Sequence, residues 1–260
     1  MDGKIIWITG SSSGIGEALA RAFADKGAKI ILSGRNEKDL GRVADAIGTE
    51  NAKILVFDLS ESANAKSIVF QAISLFGHID ILINNAGISQ RSRIAETDFS
   101  VDKKLIEVNY LGTIALTKAL LPHFVSRKSG QFAVVTSLMG KFGSPYRSSY
   151  CASKHALHGF FDVLRMEHER DNLKVTMICP GFVQTNIARN SLTHDGSMQL
   201  SDDEKTKTGM RPEVFAKKAI RAIEKQKFEV CIGGKETFGV LLKRFFPKLL
   251  HKVVLKSEVK

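Results

Sequence analysis

The chain has 260 residues, 43% apolar and 25% charged, with a formal net charge of +11. That composition excludes a disordered or fibrous chain and fits one large globular unit. No stretch approaches the ~18 uninterrupted apolar residues of a membrane span, and Met1 leads through two charged residues into a short apolar run rather than a secretion signal.

In chain order, residues 4–9 are a continuous apolar run of strand length, and residues 14–26 carry Ile15, Leu19, Ala22 and Phe23 at helical spacing. Residues 29–33 predict a second strand, 37–47 a helix, 53–58 a third strand, and the stretch to about Phe76 another helix. Residues 80–84 predict a fourth strand, 102–126 a long helix, 131–137 a fifth strand, 148–170 a second long helix and 174–179 a sixth strand. A helix over 211–227 and a seventh strand over 229–232 close the pattern. Short apolar strands alternating with helices predict an α/β chain: a doubly wound parallel seven-stranded sheet with helices on both faces, in a single domain over residues 1–239.

Two segments break the rhythm. Residues 186–208 are polar, contain Gly196 and read as a mobile lid insert. From Phe238 onward, Leu241/Leu242, Phe245/Phe246, Leu249/Leu250 and Val253/Val254 recur four apart, as do Arg244, Lys248, Lys252 and Lys256. This predicts a basic amphipathic helix, bent or restarted at Pro247. Residues 240–260 hold six Lys/Arg against one Glu, or +5 of the net charge, and the other 239 residues carry +6. Three readings of this tail stay open. It packs on its own domain or a second subunit with its cations solvated, it lies on an anionic membrane surface, or it is partly disordered. Without interleaved aromatic or zinc motifs, the charge does not point to nucleic acid. Cys151, Cys179 and Cys231 have no paired spacing, which predicts free thiols, no zinc site and a reducing, cytoplasmic compartment.

Thr9-Gly10-Ser-Ser-Ser-Gly14-Ile15-Gly16 follows the first strand and opens the first helix. This is the context of a dinucleotide-binding turn. Gly10 permits the turn, Gly14 admits a pyrophosphate to the backbone and Gly16 allows close helix packing, with Ser12, Ser13 and Ile15 beside the phosphates. An NAD-selective site ordinarily places an acid at the end of the second strand. Here the residues are Ser33-Gly34-Arg35-Asn36, with no acid and one cation. Arg35 can pair with a 2′-phosphate, which favours NADP(H) over NAD(H), unless it is only a solvated loop residue.

Tyr150 and Lys154 stand four apart near the start of a long helix and share one face. A free phenol, with a pKa of about 10, shuttles protons poorly at neutral pH, and a neighbouring ammonium favours its ionised form. Ser137 ends the fifth strand, at the edge where open α/β sheets bind ligands. Cys151 leaves the helix about 100° away from Tyr150 and has no His partner. His155 and His158 read as packing or surface residues rather than metal ligands.

Jointly, Thr9-Gly-x-x-x-Gly14-Ile-Gly16, Asp58, Asn84-Asn85-Ala86-Gly87, Asn109, Ser137, Tyr150-x-x-x-Lys154 and Pro180-Gly181 resemble the short-chain dehydrogenase/reductases, in their compact three-glycine branch with its Rossmann-type fold. The resemblance covers residues 3–185 closely. It implies that Tyr150 exchanges the proton, Lys154 lowers its pKa and holds the nicotinamide ribose, and Ser137 bonds the substrate oxygen. Asn109 would bind a water contacting Lys154. The resemblance further implies that Asp58 and Leu59 meet the adenine, and that Asn85, Ala86 and Gly87 line the adenosine side. Pro180, Gly181, Val183 and Thr185 would cradle the nicotinamide amide. A pocket of Ser137, Met139, Phe142, Tyr146, Tyr150 and Phe182, with Ile88, suggests a small lipophilic carbonyl or secondary alcohol as substrate. A homodimer or homotetramer is expected, built through the two long helices. The intact Asn109/Ser137/Tyr150/Lys154 set weighs against a catalytically silent NADP(H)-binding regulator. Chain length and the three-residue gap between Gly10 and Gly14 weigh against a nucleotide-sugar epimerase.

Overall fold

The computed structural model describes residues 1–257. Strands β1 (Ile5–Thr9), β2 (Lys29–Gly34), β3 (Ala52–Val56), β4 (Ile81–Asn84), β5 (Gly130–Val135), β6 (Leu173–Pro180) and β7 (Glu229–Ile232) form one sheet. Their order is β3-β2-β1-β4-β5-β6-β7, and every neighbouring pair is parallel. The helices are α1 (Gly14–Ala24), α2 (Glu37–Ile47), α3 (Ala65–Phe76), α4 (Phe99–Ile106), α5 (Thr113–Arg127), α6 (Ser148–Glu167), α7 (Glu204–Lys207), α8 (Pro212–Glu224), α9 (Phe238–Phe245) and α10 (Pro247–Lys256).

All five β1 residues are buried because both sheet faces are covered. Ile6 and Ile8 point to a core with Leu19, Phe23, Leu40, Phe215 and Ile220, from α1, α2 and α8. Ile5 and Trp7, one residue out of phase, point to the opposite core with Ile68, Leu120, Phe124, Leu157 and Phe161, from α3, α5 and α6. The period-2 alternation of a strand thus divides one apolar run between two cores. From β1 the sheet grows outward to β3, and the chain then crosses back to β4 on the other side. That reversal opens a crevice at the carboxyl ends of β1 and β4, the place where such sheets take ligands.

The long helix expected over 102–126 begins earlier and is interrupted: α4 runs into a single π turn (Glu107–Gly112) and then α5. Gly112 lies against the chain after β3, where an added Cβ would stand 2.1 Å from the Leu59 carbonyl oxygen. Only a glycine lets the helix approach that closely. The second long helix, α6, stops at Glu167 rather than near Arg170. A 3-10 turn (Glu169–Asp171) and a left-handed Asn172 (φ 59°) then swing the chain into β6.

The insert expected to be a mobile lid is pinned. Leu192 N–H donates to the Ser89 carbonyl (2.9 Å), Arg91 N–H to Leu192 (2.8 Å) and Asp98 N–H to His194 (2.8 Å). The tail forms two helices broken at Phe246 (φ −136°, ψ 60°), and Pro247 starts the second, where its missing N–H is harmless. Val240, Leu242, Leu250 and Val254 pack on Leu138, Phe142 and Cys179. The disorder reading of the tail therefore fails for residues 238–257. Residues 258–260 lie outside the described residues.

Candidate active site

The glycine turn sits at the mouth of the crevice. Ser13, which begins α1, is extended and caps none of the first-turn N–H groups with its side chain. Those donors face a cleft of about 510 Å³ lined by Gly10, Ser12, Ser13 and Ile15. Unpaired N–H groups and the positive end of the helix dipole make this a place for an anion. Gly10 has φ +65°, and an added Cβ would meet the Ala86 Cα at 2.8 Å. At Gly16 it would meet the Gly10 carbonyl oxygen at 2.1 Å, so this position packs the helix against the turn. Gly14 has φ +57°, and an added Cβ there would stand 3.0 Å from the Thr185 methyl.

Thr9 holds the far wall. Its Oγ1 accepts from the Asn85 N–H (3.0 Å) and the Ala86 N–H (3.1 Å), while Asn85 Nδ2 donates to the Thr9 and Gly10 carbonyls (2.9 and 3.0 Å). Arg35 is 67% exposed at the end of β2, with its guanidinium 3.7 Å from the Asp58 carboxylate. Asp58 also accepts from Ser60 N–H and Oγ–H, both at 2.8 Å. Burial raises its pKa, but these bonds and the Arg35 charge outweigh it and leave the group below its ordinary value. Leu59, Gly87, Pro180, Gly181, Val183 and Thr185 also line the cleft.

Ser137, Tyr150 and Lys154 lie on the inner wall of the same cleft. Ser137 caps the short turn after β5: its Oγ accepts from the Met139 N–H (3.0 Å), and its hydroxyl hydrogen-bonds the Tyr150 phenol. Gln90 places the start of α6. It is fully buried, and its Oε1 accepts from the Ser149 N–H (3.0 Å) while its amide donates to Ser148 (3.2 Å). Ser149 Oγ donates in turn to the Asp102 carboxylate. Lys154 is 4% exposed, and its Nζ donates to the Val135 carbonyl at 3.1 Å. Burial pulls its pKa down to about 8.

Asn109 sits in the π turn, buried, with Oδ1 accepting from the Ile88 N–H (2.8 Å) and Nδ2 donating to the Ile88 carbonyl (2.9 Å) and Ser153 Oγ (3.1 Å). Gly87 brings it to Lys154. An added Cβ there would lie 3.0 Å from Asn109 Oδ1 and 3.3 Å from Lys154 Nζ.

Beyond the Lys154 that the resemblance implies, further groups around Tyr150 act on the phenol. Burial raises the phenol pKa, with a smaller push from Cys151, against a hydrogen bond with Ser137 and the charges of Arg91 and Arg147. The Lys154 ammonium stands 5.9 Å from the tyrosine ring centroid. Arg91 and Arg147 share one carboxylate from the insert, Asp203, at 2.6 and 3.3 Å. All three side chains are at most 8% exposed. Burial, then Arg91, pulls Arg147 down to about 10 against the pull of Asp203, so it stays charged at neutral pH.

Four expected pocket residues do not line the cleft. Phe142 is buried among Leu138, Cys179 and Leu250, with its ring against Gly239 of the tail, and Met139 packs on the same cluster. Tyr146 has a left-handed backbone (φ +66°) and lies under the Arg93 guanidinium at 5.9 Å. Phe182 lies under the Lys205 ammonium, also at 5.9 Å, and its N–H donates to Glu236 (3.1 Å) at the base of the tail. In their place, Ile187, Asn190, Leu192 and Met198 from the insert join Ile88 along the cleft. The signal for them was present: Ile187, Leu192 and Met198 are among the few apolar residues of a largely polar segment. Phe57 and Lys104 line the same cleft as Asp58 and were also missed.

His158, Cys179 and Glu229 converge behind the cleft, joining α6, β6 and β7. The Lys141 ammonium already pairs with Glu229 at 2.5 Å. Burial, then the Lys141 charge, holds His158 down to about 4, so it packs as a neutral ring.

Residues 4–196 match the model of the short chain dehydrogenase family. The chain is 38% identical over 257 residues to the mouse protein "Dehydrogenase/reductase SDR family member 7B", covering 96% of this chain and 80% of that one. It is 37% identical over 267 residues to the Drosophila melanogaster "Dehydrogenase/reductase SDR family protein 7-like", covering 100% and 82%. Among solved structures, a short chain dehydrogenase/reductase from Burkholderia phymatum in complex with NAD superposes with TM-score 0.85 at 22% identity, over 95% of each chain. An alcohol dehydrogenase from Thermococcus sibiricus complexed with 5-hydroxy-NADP gives TM-score 0.77 at 25% identity, over 90% of this chain and 97% of that one. The chain belongs to the short-chain dehydrogenase/reductases, an oxidoreductase family that binds nicotinamide cofactors on this fold.

Proposed function

We propose that the protein interconverts a carbonyl and a secondary alcohol on a small lipophilic substrate, with NADP(H) as its preferred cofactor and Tyr150 as proton donor and acceptor. One observation carries this reading. The Ser137 hydroxyl, the Tyr150 phenol and the Lys154 ammonium line a single cleft whose far end is the uncapped glycine turn. The nicotinamide, when bound, supplies or accepts the hydride.

The chain's own groups do the rest. In reduction, Ser137 donates to the carbonyl oxygen and stabilises the negative charge that grows there. Tyr150 gives its proton to that oxygen and completes the alcohol. The resulting phenolate is favoured by the charges of Arg91 and Arg147, and Lys154 is placed to hold the ribose hydroxyls. Oxidation runs the same steps backwards. Ile88, Ile187, Leu192 and Met198 give the substrate end of the cleft its apolar lining. The NADP(H) preference is supported by the Arg35 cation at the end of β2, where no acid stands. On the outer face of α6, Val163 (48% exposed) and Met166 (68%) support a subunit surface for a homo-oligomer.

The test is NADPH consumption against a panel of aliphatic, aromatic and steroid-like ketones and aldehydes, with Tyr150→Phe beside the wild type. Turnover of at least one carbonyl is expected. Phe lacks only the hydroxyl, so its loss is expected to cut kcat/KM by about 10²–10⁴ while leaving NADPH binding in place. NADPH binding without turnover of any panel member would establish the silent regulator instead.

A further inference from the structure

The tail packs onto the body through one row of its apolar residues and leaves a second row outside. Leu242, Leu250 and Val254 turn inward onto Leu138, Phe142 and Cys179. Their sequence neighbours turn outward: Leu241 is 56% exposed, Phe245 67%, Leu249 50% and Val253 48%. Phe238, Phe246 and Leu255 are exposed as well. So much hydrocarbon in one 20-residue stretch, with aromatics among it, goes beyond the scattered apolar residues of an ordinary surface.

The outward row has a companion. Three residues beyond each member stands a cation: Arg244 after Leu241, Lys248 after Phe245, Lys252 after Leu249 and Lys256 after Val253. Within α9 or α10, positions three apart are neighbours, which sets Arg244 beside Leu241, Lys252 beside Leu249 and Lys256 beside Val253. With Lys243, residues 238–257 hold five cations and no acid. We infer that α9 and α10 form a docking surface for an anionic phospholipid bilayer, lying along it with Leu241, Phe245, Leu249 and Val253 in the interface and the cations at the headgroups.

Charge decides between occupants. A second copy on the same face would bring two like-charged rows together without one carboxylate to pair them. An anionic lipid surface satisfies both rows at once. Geometry decides the pose. At 1.5 Å per residue, the 10-residue α10 is about 15 Å long, half the hydrocarbon thickness of ~30 Å. Among the described residues no helix is long and apolar enough to cross. The break at Phe246 and Pro247 lets both short helices follow one plane.

The experiment is co-sedimentation of the full chain with vesicles of phosphatidylcholine alone and with one third phosphatidylserine, at low and high salt. Binding to the anionic vesicles, weakened by salt, is expected. Arg244→Gln, Lys248→Gln and Lys252→Gln should each weaken it about fivefold. The triple variant Leu241→Ser/Phe245→Ser/Leu249→Ser should abolish binding while melting temperature and NADPH binding stay as in the wild type, because these side chains are exposed. The inference is overturned if the wild type binds neither vesicle, or if both variant sets bind as the wild type does. It is equally overturned if the serine triple loses only a dimer seen by sedimentation, which would make the face a contact between copies.

Discussion

On one side of the Tyr150 phenol, the Lys154 ammonium is buried with a backbone carbonyl as its hydrogen-bond acceptor. On the other, Arg91 and Arg147 are buried with a shared carboxylate, Asp203, and the triad keeps one net positive charge. Burial disfavours a charge in both places, and the compensation differs. Lys154 is held ready, with donors for a ligand, and its pKa falls to about 8. The triad joins the loop after β4, the start of α6 and the insert. A buried charge left short of partners marks a place where a ligand completes the site, whereas charges that share a buried carboxylate fix the scaffold around them.

The comparison breaks most visibly if Asp203 is removed. Asp203→Ala removes the buried carboxylate that Arg91 and Arg147 share. Breaking a buried pair in this way typically costs about 3–5 kcal/mol. A lower melting temperature is expected, with new protease cleavage within residues 186–208, which Asp203 ties to the body. Lys154→Met should do the opposite. It removes an uncompensated charge and keeps the length, so stability should hold or rise while cofactor affinity and turnover fall. Equal destabilisation by both substitutions would end the distinction.

Proton linkage sharpens it. The folded Lys154 releases its proton near pH 8, and an unfolded lysine releases it near 10.5. Between those values the unfolded chain binds more protons, so the stability of the cofactor-free protein should rise as pH goes from about 8 to 10. Denaturant titrations at several pH values read this directly, and Lys154→Met should flatten the rise. Tyr150 enters only above that window, because its pKa is raised from the ordinary value.

The pH dependence of alcohol oxidation reads the same charges at the phenol. Ser137 and the two arginines lower the Tyr150 pKa, and burial and Cys151 raise it. Ser137→Ala should therefore move the acidic limb of kcat/KM to higher pH, besides slowing the reaction. Asp203→Asn should move it to lower pH, since the arginines then lose the negative charge of their shared carboxylate. Shifts of the same sign would show that the triad does not act on Tyr150.

Lys154 was legible in the sequence and the triad was not, for a physical reason. Helical periodicity fixes a relation four residues apart, so Tyr150 and Lys154 could be placed on one face before any fold was known. Alternating strands and helices likewise foretold the sheet and its crevice, because burial on two faces leaves a local imprint. Arg91, Arg147 and Asp203 come from three loops, and only the folded topology brings them within 3.3 Å of a shared oxygen. The same holds for Phe142. Its apolar character announced burial, but only the tail's path decided that it would pack under Gly239 rather than face the cleft. The π turn at Asn109 left no pattern either, since a helix with one wider turn keeps nearly the same apolar spacing.

Arg35 completes the series at the exposed end. Its pair with Asp58 is long at 3.7 Å, and the guanidinium is 67% exposed, so solvent screens it and the pair adds little stability. Arg35→Ala should leave the melting temperature within error of the wild type. The change belongs instead to cofactor choice. The kcat/KM ratio for NADPH over NADH should fall about tenfold, in line with one charge-assisted contact of roughly 1.5 kcal/mol. The fall should come from weaker NADPH binding, seen in KM rather than kcat, because the residue lies at the far end of the cleft from Tyr150. An unchanged ratio would make Arg35 a solvated loop residue. It would also leave Lys104, another cation lining the cleft, as the group to test for a 2′-phosphate contact.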